Sequence, residues 1–219
     1  MKKVFIFVAL IFTLFLNVEA KAQIISHGNQ NLNHIYLTFD DGYSAKNTEK
    51  ILNTLKEKNV PATFFVEGEF LAQNPILVNR IANEQTLANH TFNHKDITKM
   101  SDEAFLKDLK TFEETAYKMT GKPIVKYFRP PMGKINNHKL EILYQEGYHV
   151  FLWNVSYYDY VYFDDRGTEY VLNNLLKQTS NGSIILMHTL TKSNADALGT
   201  SIDHLRSLGY VFADLNELI

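Results

Sequence analysis

His90 and His94 stand four residues apart, a spacing that on a helix or tight turn puts both imidazoles on one side, able to grip a single ion. Asp41 offers a carboxylate to go with them. Two imidazoles and one carboxylate leave open positions on a zinc-like ion for water and substrate, the layout of a catalytic site. Asp41 follows Asp40 at the end of an apolar run, Ile35-Tyr36-Leu37-Thr38-Phe39, that reads as a strand. Neighbouring residues on a strand face opposite ways, so one acid can bind metal while the other handles protons. An acid pair after a strand also holds magnesium in phosphotransfer domains, or is merely solvated in the turn before Gly42. Magnesium prefers oxygen to imidazole, however, and no glycine-rich phosphate loop is present.

Two further segments carry reactive groups. In Phe128-Arg129-Pro130-Pro131-Met132-Gly133 the prolines fix backbone angles and withhold amide donors, so the segment can hold Arg129 in place and present the next free amide, that of Met132. An arginine set against an acid keeps that acid ionised; the plainer reading is a rigid loop with a surface arginine. The apolar run Ser183-Ile184-Ile185-Leu186-Met187 closes on His188. Such a histidine is ordinarily structural and becomes a candidate general acid only beside a base and a metal pair.

These groups must be positioned by elements that alternate along the chain. Strands are expected at Ile35–Phe39, Ala62–Val66, Leu87-Ala88, Tyr127-Phe128, His149–Trp153, Ser183–Met187 and Tyr210–Phe212. Helices are expected at 47–58, 76–83, 101–120, 139–146, 168–179 and 195–207. The clearest is 101–120: Ser101 can cap it, acids fill its first turn, Gly121 suits its end, and Phe105, Leu109, Phe112, Ala116 and Met119 form its buried stripe. About seven apolar strands alternating with helices imply an α/β fold with a parallel sheet, open or closed into a barrel. Ligand sites in such folds collect at the carboxyl ends of the strands. There the sequence has Asp40-Asp41, Arg129, Trp153 and His188.

The whole chain bounds the rest. Met1-Lys2-Lys3, the apolar stretch from Val4 to Val18 and Ala20-Lys21-Ala22 follow the order of a secretory signal peptide over residues 1–22, with 23–33 as a linker and 34–219 as one domain. An uncleaved anchor is the alternative, although about 20 apolar residues are usual for a span. An exported protein, in the cell wall or secreted, is therefore expected. The absence of cysteine removes disulfides, thiolate metal sites and a lipoprotein anchor together. A net charge of −2 shows no basic excess and argues against nucleic acid as a partner. A monomer without a stable protein partner is expected.

Thr38-Phe39-Asp40-Asp41-Gly42, His90-Thr91-Phe92-Asn93-His94, Arg129-Pro130-Pro131-Met132-Gly133, the stretch from Trp153 to Tyr160 and Leu186-Met187-His188 occur in an order that resembles the polysaccharide deacetylases with the NodB homology domain, carbohydrate esterase family 4. The resemblance runs from about His34 to the C-terminus. It implies a distorted (β/α) barrel of about seven strands and a hydrolase acting on an amide bond. It further implies Asp41, His90 and His94 as ligands of a divalent metal, with zinc favoured over cobalt or manganese. Asp40 would be the general base oriented by Arg129, and His188 the general acid paired with Asp159. Met132, Pro131, Trp153, Tyr160 and Leu186 would bind substrate, Leu186 lining the acetyl pocket.

Phe65-Val66-Glu67-Gly68, Trp153 to Tyr160, and His188-Thr189 with Asn194-Ala195-Asp196-Ala197-Leu198 look like one branch, the N-acetylmuramic acid deacetylases that prepare muramic δ-lactam in spore cortex. That implies peptidoglycan glycan strands as partner and the forespore intermembrane space as a site of action. N-acetylglucosamine in peptidoglycan or chitin-like oligomers is the alternative substrate, and a catalytically inactive wall-binding protein the alternative of another class. Three places depart from the family pattern: Asn83-Glu84-Gln85-Thr86 replaces a usual Gly-His pair, Tyr160 stands where tryptophan is common, and Met132 replaces the tyrosine or arginine often found there.

Overall fold

Short apolar runs alternating with amphipathic ones produce eight strands and seven α-helices among residues 22–219, which the computed structural model describes. In chain order they are β1 (Ile24–Ile25), β2 (His34–Asp41), α1 (Ala45–Lys58), β3 (Ala62–Val66), α2 (Gly68–Gln73), α3 (Pro75–Glu84), β4 (Thr86–Asn89), α4 (Asp102–Thr120), β5 (Tyr127–Phe128), α5 (Asn137–Gln145), β6 (His149–Phe151), α6 (Thr168–Gln178), β7 (Ile184–His188), α7 (Lys192–Ser207) and β8 (Val211–Phe212). The expected signal peptide, but for Ala22, lies outside the described residues. Among the described residues no helix is long and apolar enough to cross a membrane.

The strands run in the order β1-β6-β5-β4-β3-β2-β7, with β8 also on β2, and every ladder is parallel. Parallel neighbours need a crossover, which the intervening helices supply. Beyond β6 the chain brings Val155 into a bridge with Ile185, and Leu186 N donates to Val155 O at 2.9 Å. At the other end of β7, His27 bridges Ser183. The sheet thus curls until its edges meet through short bridges in place of a full ladder, a distorted (β/α) barrel. Ile24–Ile25 lie inside the segment read as a linker, yet they pair with Val150 and Phe151.

Helix ends follow local chemistry. Ser101 Oγ accepts the Ala104 amide, and Gly121 ends α4 in the left-handed region at φ 68°, where a side chain would be strained. Phe105, Leu109, Phe112 and Ala116 are buried, each phenylalanine contributing about 1.5–3 kcal/mol of transfer free energy. Met119 is only partly buried.

The period of two along each strand decides what reaches the site. On β2, Ile35, Leu37 and Phe39 pack outward against Ile51, Leu52 and Leu55 of α1, whereas Tyr36 joins Phe65, Ala88, Tyr127, Phe151 and Ile184 inside the curl. Counting on by two from these inward residues leads to Asp40, His90, Arg129, Trp153 and His188. One parity on five strands therefore delivers five reactive side chains to one mouth, at the carboxyl ends of the strands.

Candidate active site

Asp40 and Arg129 meet at the centre of that mouth. Arg129 has no solvent exposure, and its Nη1 donates to Asp40 Oδ1 at 2.8 Å. The rest of the guanidinium is accommodated as well: Nε and Nη2 donate to the carbonyls of Phe151 and Leu152, and its plane lies over Phe65, 4.1 Å from the ring centre. Burial alone raises the Asp40 carboxyl, but His90, Arg129 and His188 outweigh it and hold the group below the usual carboxylate range. Removing one partner of such a buried pair costs about 3–5 kcal/mol, because the other charge is left uncompensated.

His90 and His94 lie on an irregular turn after β4, not on a helix, and their ring centres are 5.0 Å apart. The turn is strained: Thr91 and His94 take φ of 66° and 54°, conformations that cost about 1–3 kcal/mol each for such residues. Local bonds impose them, with Asn89 Oδ1 accepting the Thr91 amide at 2.7 Å and Thr91 Oγ1 accepting the His94 amide at 3.1 Å. The Phe92 ring wedges against Gly68, where an added Cβ would fall 2.2 Å from it. His90 Nδ1 lies 2.8 Å from the carbonyl of Arg129, which only accepts, so the proton sits on Nδ1 and the Nε2 lone pair is free. That Nε2 faces Asp40 Oδ2 at 3.4 Å. Burial lowers the His90 pKa to about 4 and lowers that of His94, leaving both rings neutral at neutral pH.

Asp41 faces the other side of β2. Thr189 Oγ1 donates to its Oδ1 at 2.6 Å and Thr48 Oγ1, from α1, at 2.9 Å. Burial pushes its carboxyl up to about 7, and the two hydroxyls only partly offset this. The carboxylate within ion-pair distance of His90 is that of Asp40, and no ion pair joins Asp41 to either histidine. In kind, two neutral imidazoles and a carboxylate fit a borderline divalent cation. In arrangement, no three His, Asp or Glu side chains among the described residues stand as a ready coordination cage.

Across the cleft, His188 ends β7 in register with Asp40. Its Nδ1 donates to Asp159 Oδ1 at 2.7 Å and its backbone N–H to Asp159 Oδ2 at 2.8 Å. Burial lowers the imidazole pKa, but the bond to Asp159 and its charge outweigh this, so the pKa is raised. A cleft of about 370 Å³ lies between the two polar groups, lined by Asp40, Tyr43, His94, Met132, Trp153, Ser156, Tyr157, Tyr160, Leu186 and His188. Met132 holds φ of 58° ahead of Gly133, and a Cβ on Gly133 would press on Trp153 at 3.2 Å. Pro131 is buried and is not among the lining residues.

Several members of the site carry no local sequence signal. Thr48 and Thr189 orient Asp41 from 7 and 148 residues away. Glu67, buried at the end of β3, has an Oε1 without a hydrogen-bond partner and a carboxyl that burial pushes up to about 7. It packs on Gly42, where a Cβ would fall 2.4 Å from its carboxyl carbon. Asn194, fully buried in the first turn of α7, reaches both Asp159 and the carbonyl of His188.

Known proteins are similar to this chain in sequence and in fold. The peptidoglycan-N-acetylmuramic acid deacetylase PdaA of Bacillus subtilis is 36% identical over 193 residues, 88% of this chain and 73% of its own length. The solved structure of PdaA, a family 4 carbohydrate esterase, matches with a TM-score of 0.87 at 35% identity, over 90% of this chain and 85% of that one. The peptidoglycan-N-acetylglucosamine deacetylase PgdA of Listeria monocytogenes is 35% identical over 189 residues, 84% of this chain and 38% of that protein. A pseudoenzyme of the same esterase family from Bacillus anthracis matches with a TM-score of 0.83 at 25% identity, over 90% of this chain and 69% of that one. The family model for polysaccharide deacetylase matches residues 27–151, the stretch that contains Asp40, Asp41, His90, His94 and Arg129. This chain belongs to the polysaccharide deacetylase family.

Proposed function

We propose that this protein hydrolyses the acetamide of N-acetylmuramic acid residues in peptidoglycan, as a step toward muramic δ-lactam in spore cortex, and that it does so after export. One observation carries the catalytic reading: a carboxylate paired with a buried arginine faces, across the cleft, an imidazole whose protonated form a second carboxylate favours. The first can take a proton and the second can give one.

Asp40 takes a proton from the attacking water, with Arg129 fixing its carboxylate and keeping it ionised. His90, His94 and Asp41 would hold a divalent cation, zinc in this reading, which when bound would polarise the acetamide carbonyl and acidify water. The Met132 amide meets the oxygen on which negative charge develops. His188 passes its proton to the departing sugar amine, with Asp159 holding the ring in the tautomer that aims Nε2 at the cleft. Leu186 packs against the acetyl methyl, and Trp153 and Tyr160 offer faces to the sugar ring.

The muramic acid target is supported by the likeness to PdaA over 73% of that protein, and the export reading by the order of basic, apolar and small residues in 1–22. Likeness to PgdA supports N-acetylglucosamine as the second candidate. The full set of base, acid, arginine and histidine pair opposes a binding-only role.

The test is mass spectrometry of muramidase-digested peptidoglycan after treatment with zinc-loaded residues 23–219, on intact and on peptide-stripped glycan, beside Asp40→Asn. Loss of the acetyl mass on muramic acid supports the proposal. The same loss on glucosamine moves the substrate but keeps the chemistry. No loss on any glycan, with metal bound, overturns the enzymatic reading.

A further inference from the structure

Asp159 is held by more than His188. Asn194 Nδ2 donates to Asp159 Oδ2 at 2.6 Å and to the His188 carbonyl at 2.8 Å, so both of its amide hydrogens are engaged. Its Oδ1 accepts from the Tyr157 hydroxyl at 2.9 Å, which fixes the amide against flipping, since the hydroxyl hydrogen is offered to the oxygen. Asn194 has no solvent exposure and Tyr157 almost none. Burial raises the Tyr157 pKa well above its ordinary value, so its hydroxyl keeps its proton as the donor. Asn194 lies only two residues into α7, yet its side chain does not cap the helix: Asp165 Oδ2 accepts the first-turn amide of Ser193 at 3.2 Å, and the Asn194 amide is spent on the acid–histidine pair.

We infer that Asn194 is a positioning residue for the reaction, the clamp that fixes the Asp159 carboxylate and the His188 main chain together, with Tyr157 locking the clamp. Without it, Asp159 Oδ2 retains only the His188 N–H and the carboxylate can rotate about its side-chain bonds. Turning the imidazole then misplaces Nε2, and a displacement of about 1 Å at a reacting group costs about 10²-fold in rate. The inference rests on His188 acting on substrate, as proposed above.

The experiment compares Asn194→Ala, Asn194→Asp and Tyr157→Phe with the parent and with His188→Ala, by kinetics on peptidoglycan, thermal melting and proton NMR of the far-downfield imidazole N–H. The parent shows the His188 N–H resonance, identified by its loss in His188→Ala. Asn194→Ala lowers kcat about 10- to 100-fold with KM little changed and shifts or broadens that resonance. Asn194→Asp has the same shape but sets a carboxylate against Asp159, so it is impaired at least as much as Asn194→Ala. Tyr157→Phe is milder, and adding it to Asn194→Ala causes no further loss.

A packing role predicts the reverse, with the isosteric Asn194→Asp near the parent and Asn194→Ala reduced only in melting temperature. That pattern, or an unmoved N–H resonance in Asn194→Ala, overturns the inference. Full activity in His188→Ala instead overturns the proposed reaction, and the resonance still reports on the clamp.

Discussion

Asp40 and Asp41 are neighbours on β2 that bind opposite worlds: Asp40 Oδ1 receives the Arg129 guanidinium at 2.8 Å, and Asp41 Oδ1 receives the Thr189 hydroxyl at 2.6 Å on the other face. Partners differ in charge, so consequences differ in sign. Cations hold the Asp40 carboxyl down, whereas neutral hydroxyls cannot offset the burial of Asp41, which rises to about 7. Asp40→Asn is expected to lower kcat by about 10²–10⁴-fold, the range of a general base, while zinc binding persists. Asp41→Asn is expected to weaken zinc binding, read by calorimetry, more than Asp40→Asn does. The opposite ranking would make Asp40, already 3.4 Å from His90, the metal-side carboxylate.

The buried pair also predicts a non-additive stability. Arg129→Met leaves the buried Asp40 carboxylate without its guanidinium partner, and Asp40→Asn leaves the guanidinium without its counter-ion. Each single change is expected to cost about 3–5 kcal/mol in denaturant unfolding. The double change, Asp40→Asn with Arg129→Met, should cost less than the sum of the two singles. Simple additivity would mean that the two groups are stabilised independently, Arg129 by the carbonyls of Phe151 and Leu152 alone. Zinc retained by Arg129→Met is part of the expectation, since the guanidinium makes no hydrogen bond to either histidine and the main-chain carbonyl that fixes His90 Nδ1 is kept.

Glu67 gives a pH dependence of known sign. Its carboxyl rises from 4.5 to about 7 because burial disfavours the charge, so between those values the folded chain keeps a proton that the unfolded chain has released. Stability from this group is present at low pH and is lost as pH rises through about 7. His90 works the other way between its folded value of about 4 and its ordinary 6.5, which makes the comparison with a variant the clean measurement. Relative to Glu67→Gln, the parent is expected to lose melting temperature as pH rises from about 5 to 8. A constant difference across that range would show Glu67 to be solvated in the folded chain.

How much of this is legible in the sequence depends on the range of the determining contact. Strand parity is local, so Asp40, Arg129, Trp153 and His188 are readable as residues at the ends of apolar runs, and the period of two brings them to one mouth. Ser101 and Gly121 bound α4 by chemistry confined to a few residues. The histidine turn is different. Its shape depends on left-handed backbone at Thr91 and His94, which residue type disfavours and which tertiary packing of Phe92 on Gly68 supports. Thr189 meeting Asp41 and Asn194 meeting Asp159 span 148 and 35 residues, and nothing in a threonine or an asparagine announces such a partner. The pairing of Ile24–Ile25 with β6 is equally silent, since two apolar residues make no pattern.

The His188–Asp159 pair predicts the alkaline limb of activity. Burial would lower the imidazole pKa, yet the 2.7 Å bond to Asp159 and its charge raise it, and Asp40 adds to the rise. A general acid is competent only below its pKa, so the raised value extends kcat/KM toward higher pH. Asp159→Asn removes the charge and leaves burial in command, so the alkaline limb should move to lower pH. The acid limb, set by Asp40 ionising below the usual carboxylate range, should stay where it is. Both limbs are read from kcat/KM against pH on acetylated glycan with saturating zinc. An alkaline limb that ignores Asp159→Asn would assign that limb to a group other than His188, and with it remove the case for His188 as the proton donor.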